Sequence, residues 1–358
     1  MTDLLKALMK AAGLARKGRL LSATITAQKG FSPNLPKKRK TAARAKVGHA
    51  RKASTPSLAR PAPGSFIGGE FTCGHGTLSY RLYTPHGSSR RRMPLVVMLH
   101  GCSQSALDFA IGTGMNRLAD ELGFIVLYPQ QSQSANLARC WNWHSPDNQA
   151  RGRGEPATIA ALTRHAMALG RANPARIYIA GLSAGGAAAA IAGAAYPDLF
   201  VAIGVHSGVA QGQIRSLAAA LSAMRGRSAS GPSGTLKRPP PTIVFHGDQD
   251  RVVHPSNASA FLANLERSKP GPLLSQAFPG TAPRGRDFTR KVYKATSGEI
   301  LLEEWTVHGS GHGWSGGHAG GSYTDPAGPD ASREMLRFFM ARRRRSRQQK
   351  EAGAATTP

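Results

Sequence analysis

The stretch Ile177-Tyr178-Ile179-Ala180-Gly181-Leu182-Ser183-Ala184-Gly185-Gly186, continuing through alanines to Ala195, decides how this chain is read. Ile177–Ala180 is a short apolar run of the kind found in strands buried on both faces. From Ala184 onward the residues are almost all Ala or Gly, which suits a helix lying close against a sheet. Between the two, Gly181-Leu182-Ser183-Ala184-Gly185 has G-x-S-x-G spacing. Its glycines permit a tight strand-to-helix turn that lifts the serine hydroxyl clear of the sheet. In a chain with 41 glycines in 358 residues, the pattern arises by chance on the order of 0.4 times. It occurs twice. The second copy, Gly313-Trp314-Ser315-Gly316-Gly317, sits among glycines and histidines with no helical pattern after it. Context therefore selects Ser183 as the nucleophile candidate and sets Ser315 aside.

Outward from this turn, five more apolar runs end at Gly, His or Pro: Leu95–Leu99, Phe124–Tyr128, Phe200–Val205, Thr242–Phe245 and Ile300–Val307. Helical patterns lie between them, at 105–121 (Phe109, Met115, Leu118 and Leu122 forming a stripe), 156–171, 184–195, 255–266 and 330–341. Asp330 reads as the N-cap of the last. Strands alternating with helices predict an α/β fold with a mostly parallel sheet covered on both faces. Residues 76–84 are expected to add an antiparallel edge strand. Residues 208–240 and 268–290 are rich in Gly, Pro, Ser and Arg and read as loops.

In such a sheet, reactive groups belong in loops past the carboxyl ends of the strands. A serine nucleophile needs a base, and the base needs a group that fixes its tautomer. His246-Gly247-Asp248-Gln249-Asp250 supplies two acids after a strand. Asp250, further into the loop, is the favoured partner; Asp248 is expected to shape the turn. His308, His312 and His318 follow the last strand, and His312, flanked by glycines, is the expected base. A tetrahedral intermediate needs two N–H donors. The amides of Ala184 and of Cys102, in His100-Gly101-Cys102-Ser103-Gln104, are the candidates, with Gln104 nearby.

Charge divides the chain. The formal net charge is +28, from 47 Lys+Arg against 19 Asp+Glu. Residues 1–66 hold 15 of the basic residues and a single acid, and residues 342–358 hold 6 and one. The tails thus carry 19 of the 28 charges, leaving a mildly basic body at 67–341. Residues 1–30 read as an amphipathic helical segment, 31–66 as a basic disordered linker, 67–341 as the catalytic domain and 342–358 as a second disordered tail. Lysines interrupt every apolar stretch of the N-terminus, so no secretory signal is recognised; an organellar transit peptide is the competing reading of this acid-poor segment. Long apolar runs are absent, which excludes an ordinary transmembrane helix. The tails lack interleaved aromatics. They are expected to give only non-specific contact with a polyanion or a granule surface, not specific nucleic-acid recognition.

Taken together, these segments resemble the polyhydroxybutyrate depolymerase family of esterases, related to acetylxylan and feruloyl esterases among the α/β-hydrolases. The resemblance is carried by Leu99–Gln104, Asp108–Ala110, Gly112–Asn116, Cys140-Trp141-Asn142-Trp143, Arg151–Pro156 and Gly181–Gly185. It continues through Tyr196-Pro197, His206-Ser207-Gly208, His246–Asp250 and His312–Gly317. It covers about residues 70–340. It implies an α/β-hydrolase fold and a triad of Ser183, Asp250 and His312. It also implies that Trp141, Trp143, Trp314 and Gln104 lie about the substrate pocket. No cofactor and no metal are expected, since no Cys-x-x-Cys spacing exists. Cys102 and Cys140 fall in segments that the family pattern brings near each other. A disulfide and a pair of reduced thiols both remain open, with Cys73 left over.

The leading expectation is a serine carboxylic-ester hydrolase acting on polyhydroxyalkanoate or short-chain esters. An acetylxylan or feruloyl-type esterase, a serine peptidase and a thioesterase are alternatives on the same fold. A polyanion- or granule-binding protein docked by its tails is the alternative of another class. The family implies an extracellular location; the unrecognised signal leaves a cytoplasmic one open.

Overall fold

The described residues begin with two strands, the first largely exposed and the second buried along its latter half. In the computed structural model, which describes residues 64–86, 92–212, 216–227, 239–268 and 271–344, β1 (Ser65–Cys73) and β2 (Gly76–Thr84) pair antiparallel. Then come β3 (Leu95–Leu99), α1 (Ala106–Thr113), α2 (Met115–Leu122), β4 (Ile125–Gln130), α3 (Gly154–Gly170), β5 (Ile177–Leu182), α4 (Ala184–Ala195) and β6 (Ala202–His206). The second half holds α5 (Leu217–Met224), β7 (Thr242–Gly247), α6 (Ser256–Ser268), β8 (Leu274–Thr281), β9 (Asp287–Lys294), β10 (Ile300–Val307), two short strands β11 (Trp314–Ser315) and β12 (Thr324–Asp325), and α7 (Ala331–Met340). The expected basic helix at 1–30 lies outside the described residues, as does nearly all of the basic linker at 31–66. Of the tail at 342–358, only residues 342–344 are described, and Arg342 packs over the Phe338 ring. β1 begins at Ser65, just inside the stretch read as linker.

One ten-stranded sheet runs in the order β1-β2-β4-β3-β5-β6-β7-β10-β9-β8. Its centre, from β4 to β10, is parallel, with Val97 opposite both Leu127 and Ile179. Both margins are antiparallel: β2 pairs against β4 on one side, and β9 against β10 on the other. The central strands are buried on both faces because helices cover both. Val96, Met98, Tyr178 and Phe245 meet Phe109 of α1, Leu118 of α2 and Phe338 and Phe339 of α7 in one core. On the other face, Ala190 and Ala194 of α4 share one space with Ile203 and with Phe261 and Leu265 of α6. α4 can lie there because it is built from small residues: a Cβ at Gly193 would run into Ile203. Burying a Phe or Leu side chain is worth about 1.5–3 kcal/mol, so this two-sided core dominates stability.

The six expected parallel strands form within two residues of their predicted ends. Other expectations are corrected. Residues 76–84 do form a strand, but β1 pairs outside it, so the edge belongs to β1. The stretch 268–290 contains β8 and the first half of β9 rather than loop. β8 is exposed at almost every position and carries Pro279 on the sheet margin, so it buries no face and shows no hydrophobic alternation. The region 208–240 includes α5, capped by the Ser216 side chain on the Ala219 amide. The helix read at 105–121 is two, broken at Gly114 with φ 63°, and Leu122 of the predicted stripe is exposed. Among the described residues, no helix is long and apolar enough to cross a membrane.

Candidate active site

β5 ends at the turn that the sequence singled out. Ser183 has φ 57° and ψ −120°, a region that non-glycine residues enter at a cost of order 1–3 kcal/mol. Neighbours hold it there. Its amide donates to the His206 carbonyl (2.9 Å), and its carbonyl accepts from the Ala187 amide (3.0 Å). A Cβ at Gly181 would collide with the Gly185 carbonyl, and one at Gly185 with the carbonyls of Leu99 and His100. Glycine spacing in the motif is thus demanded by close backbone approach to the loop after β3. Ala184 starts α4, so its amide is one of the N-terminal donors without an intrahelical partner.

Asp250 follows β7 and is almost wholly buried. One carboxylate oxygen accepts from the Val252 and Val253 amides, both at 2.9 Å. The other accepts from His312 Nδ1 at 2.7 Å. The His312 proton therefore sits on Nδ1, leaving the Nε2 lone pair free to accept one. Burial opposes charge on Asp250, yet hydrogen bonds from His246 and His312 hold its carboxyl well below the usual carboxylate range. His246 Nε2 lies 3.5 Å from the same oxygen and donates to the Val253 carbonyl (2.8 Å). Asp248 does something else. It takes His308 Nδ1 (3.0 Å) and the Gly309 amide (2.7 Å), and His308 Nε2 reaches Thr289. Two Asp–His pairs thus stand side by side; the His312 pair is buried and the His308 pair is partly exposed.

One side chain that the sequence reading quoted without a role joins the two halves of the site. His206 ends β6. Its carbonyl holds the Ser183 amide, and its Nε2 accepts from the Ser315 amide (2.9 Å), three residues past His312. Its ring stacks between Phe245 and Trp314, with centroids at 5.8 and 5.2 Å. Burial, then the neighbouring His246 and His312, lower its pKa to about 3, so it stays neutral and keeps that acceptor.

The loop after β3 is tied on several sides. Cys102 and Cys140 form a disulfide, with Cα atoms 4.2 Å apart, which settles the alternatives left open for these thiols; Cys73 is free. His100 donates from Nδ1 to the Gly101 carbonyl and accepts the Gln131 amide at Nε2. Burial lowers its pKa to about 4. Gln104 Oε1 accepts the Gly101 amide, and its Nε2 donates to Asp108 and to Ser322. Trp141 Nε1 donates to the His100 carbonyl (3.0 Å). Trp314 Nε1 donates to Ser332 Oγ (3.0 Å). Gln104, Trp141, Trp143 and Trp314 are all buried. Ser315 is buried too, its hydroxyl donating to the Pro329 carbonyl. His318 is exposed at the surface.

Residues 78–269 match the family model described as esterase PHB depolymerase. The chain belongs to this family. The matched span takes in Cys102, Cys140, Ser183 and Asp250 and stops short of His312. Poly(3-hydroxyalkanoate) depolymerase C of Paucimonas lemoignei is 31% identical over 252 residues, covering 66% of this chain and 59% of that protein. Feruloyl esterase B of Thermothelomyces thermophilus is 29% identical over 217 residues, 56% of this chain and 72% of that protein. Among solved structures, the acetyl xylan esterase from Aspergillus awamori superposes with a TM-score of 0.59 at 19% identity, covering 77% of this chain and 99% of that one. That likeness supports the α/β-hydrolase fold for this PHB depolymerase family member.

Proposed function

We propose that this protein is a serine carboxylic-ester hydrolase with Ser183 as nucleophile, His312 as general base and Asp250 as the group that orients it. The observation that carries the reading is the buried Asp250–His312 bond of 2.7 Å, with the second Asp250 oxygen saturated by two amides. It stands in the same row of strand ends as the strained Ser183 turn. Ser183 Oγ attacks the ester carbonyl while His312 Nε2 takes its proton. The alcohol leaves with that proton, and water, deprotonated by His312, releases the acid. The Cys102 and Ala184 amides receive the oxyanion. Gln104, Trp141 and Trp314 act as supports that hold the oxyanion loop and the histidine loop.

The relatives point to carboxylic esters as the substrate class, with hydroxyalkanoate polyester or short-chain esters first and acetylated or feruloylated carbohydrate second. The Cys102–Cys140 disulfide supports an oxidising, extracellular setting. The basic tails serve as an electrostatic tether to a polyanionic or granule surface, which salt must weaken. The test is turnover of p-nitrophenyl acetate and butyrate by the full chain and by Ser183→Ala. Loss of turnover by on the order of 10³-fold or more is expected in the variant; full activity would remove Ser183 from the mechanism. A panel running from short aliphatic esters to hydroxybutyrate oligomers and feruloyl esters ranks the substrates.

A further inference from the structure

Asp325 lies on β12, beyond His312 in the chain, and pairs with Ser315 of β11. Its Oδ1 accepts the Ala327 amide (3.2 Å), the local turn that an Asp side chain readily makes. Its backbone carbonyl accepts the Gly316 amide (2.8 Å). The second carboxylate oxygen reaches further. Oδ2 accepts the Ser310 hydroxyl at 2.5 Å and Arg286 Nε at 2.6 Å. The Asp325 side chain is only 13% exposed, and hydrogen bonds to a charged group are the strong ones.

Ser310 connects this carboxylate to the chemistry. It is buried two residues before His312. Its carbonyl accepts the Gln249 amide (2.9 Å), in the loop that carries Asp250. A Cβ at Gly247 would run into that same carbonyl, so the two loops meet backbone to backbone. Ser310 is therefore fixed at its carbonyl to the acid's loop and at its hydroxyl to Asp325. Glycines flank His312 on both sides and give its loop no stiffness of their own. The ring's place must then come from the anchors around it. Past His312 the amides of Trp314, Ser315 and Gly316 are held; ahead of it stands Ser310. Asp325 touches both flanks, with its carboxylate on Ser310 and its carbonyl on Gly316. Arg286 comes from the turn between β8 and β9, and its amide donates to the Ala327 carbonyl (3.3 Å). A Cβ at Gly309 would come within 3.0 Å of Arg286 Nη1. The exposed hairpin thus sets one cation against Asp325 and the histidine loop.

We propose that Asp325 is a positioning residue for His312: through Ser310 it sets where the histidine loop stands against the loop of Asp250, and Arg286 holds its carboxylate in place. This inference rests on the reading of His312 as the general base. His312 first takes the Ser183 proton and then hands it to the leaving alcohol, so a displaced ring harms both transfers. An alkoxide must be protonated as it leaves, whereas p-nitrophenolate leaves without a proton. Displacing the ring therefore costs an alkyl ester more than an aryl ester. A smaller fraction of folded enzyme costs both esters equally, so the ratio of the two separates positioning from a merely structural role.

The test measures kcat/KM of the full chain and its variants on ethyl butyrate, by pH-stat, and on p-nitrophenyl butyrate, by absorbance. Asp325→Ala is expected to lower kcat/KM for the ethyl ester by on the order of 10–100-fold, through kcat, with KM within about threefold. The aryl-to-alkyl ratio should rise at least about threefold. Asp325→Asn keeps an oxygen that can accept Ser310 and Arg286, and should return the ethyl ester to within about fivefold of wild type. Ser310→Ala should move the ratio in the same direction. The double variant Asp325→Ala, Ser310→Ala should stay within about twofold of Asp325→Ala, since both changes break one link. Glu121→Ala removes an exposed carboxylate that pairs with Arg333 (2.8 Å), and should leave the ratio unchanged. Melting curves confirm folding. An unchanged ratio in folded Asp325→Ala overturns the positioning role; should that variant not fold, Ser310→Ala decides in its place. A double variant whose losses simply multiply overturns the route through Ser310. Wild type that turns over neither ester, or His312→Ala that keeps full turnover, overturns the reading of His312 itself and this inference with it.

Discussion

Replacing Asp250 by Asn separates the two jobs that the carboxylate performs. Asn keeps one oxygen, which can still accept the Val252 and Val253 amides that Asp250 holds at 2.9 Å. The turn after β7 is therefore retained. The side facing His312 changes. An NH₂ group now meets Nδ1, 2.7 Å away in the native protein, and that nitrogen must become the acceptor. The imidazole proton moves to Nε2, the atom that has to receive the proton of Ser183. The fixed negative charge beside the imidazolium formed during attack is lost as well. At an effective dielectric near 20, two unit charges about 4 Å apart interact by about 4 kcal/mol, which is about 10³ in rate. With the tautomer also wrong, kcat should fall on the order of 10³–10⁴-fold, with KM within about threefold. Asp248→Asn is the control. It disturbs a partly exposed pair with His308, worth about 0–1 kcal/mol, and should leave kcat within about threefold. The assay is p-nitrophenyl butyrate hydrolysis under saturating substrate, with a thermal melt to confirm folding. A folded Asp250→Asn variant within tenfold of wild type, or an Asp248→Asn variant equally impaired, would refute the assignment of His312 and Asp250.

Three further outcomes are expected. His206 and His100 have pKa values lowered to about 3 and about 4 by burial. The unfolded chain therefore binds more protons below about pH 6.5, and stability should fall as pH is lowered from 7 toward 4. A melting temperature that rises on acidification over that window would contradict the burial of these rings. Replacing Cys102 and Cys140 together by Ser opens a loop with a separation of 38 residues. Unfolding free energy in urea should drop by about 3–4 kcal/mol on the chain-entropy estimate, and kcat should fall as the oxyanion loop loosens; unchanged values of both would mean that the bridge constrains nothing. His206→Phe keeps the stack between Phe245 and Trp314 but removes the acceptor for the Ser315 amide. A fall in kcat of about tenfold, with KM within about twofold, is expected from steady-state kinetics, and an unaltered kcat would break the link drawn between the nucleophile turn and the histidine loop.

How much of this was legible beforehand depended on whether a signal was local. Most of the parallel strands were visible because a strand covered by helices on both faces is largely apolar, as Leu95–Leu99 is; β10 interrupts that pattern with Glu303, buried in ion pairs with Arg290 and Arg337. The Ser183 turn was visible because close backbone approach demands glycine at Gly181 and Gly185. β8 was invisible for the opposite reason: an exposed strand on the sheet margin with a proline has no pattern to read. The tryptophans and Gln104 were recognisable as part of the motif set, but sequence does not state which way a side chain points. They are buried, and the N–H groups of Trp141, Trp314 and Gln104 bond to His100, Ser332 and Ser322.

The sequence by itself determined the layers of the fold and the tight turn at Ser183, since each of these is written in contiguous residues and constrained by backbone sterics. Tertiary structure set each acid against its histidine: Asp250 is buried and meets His312, while Asp248 stays partly exposed and meets His308. It decided that His206 bridges the Ser183 turn and the loop after His312, and that Cys102 finds Cys140. Each of these is a contact between segments tens to hundreds of residues apart, and such contacts follow from packing, which no local pattern encodes.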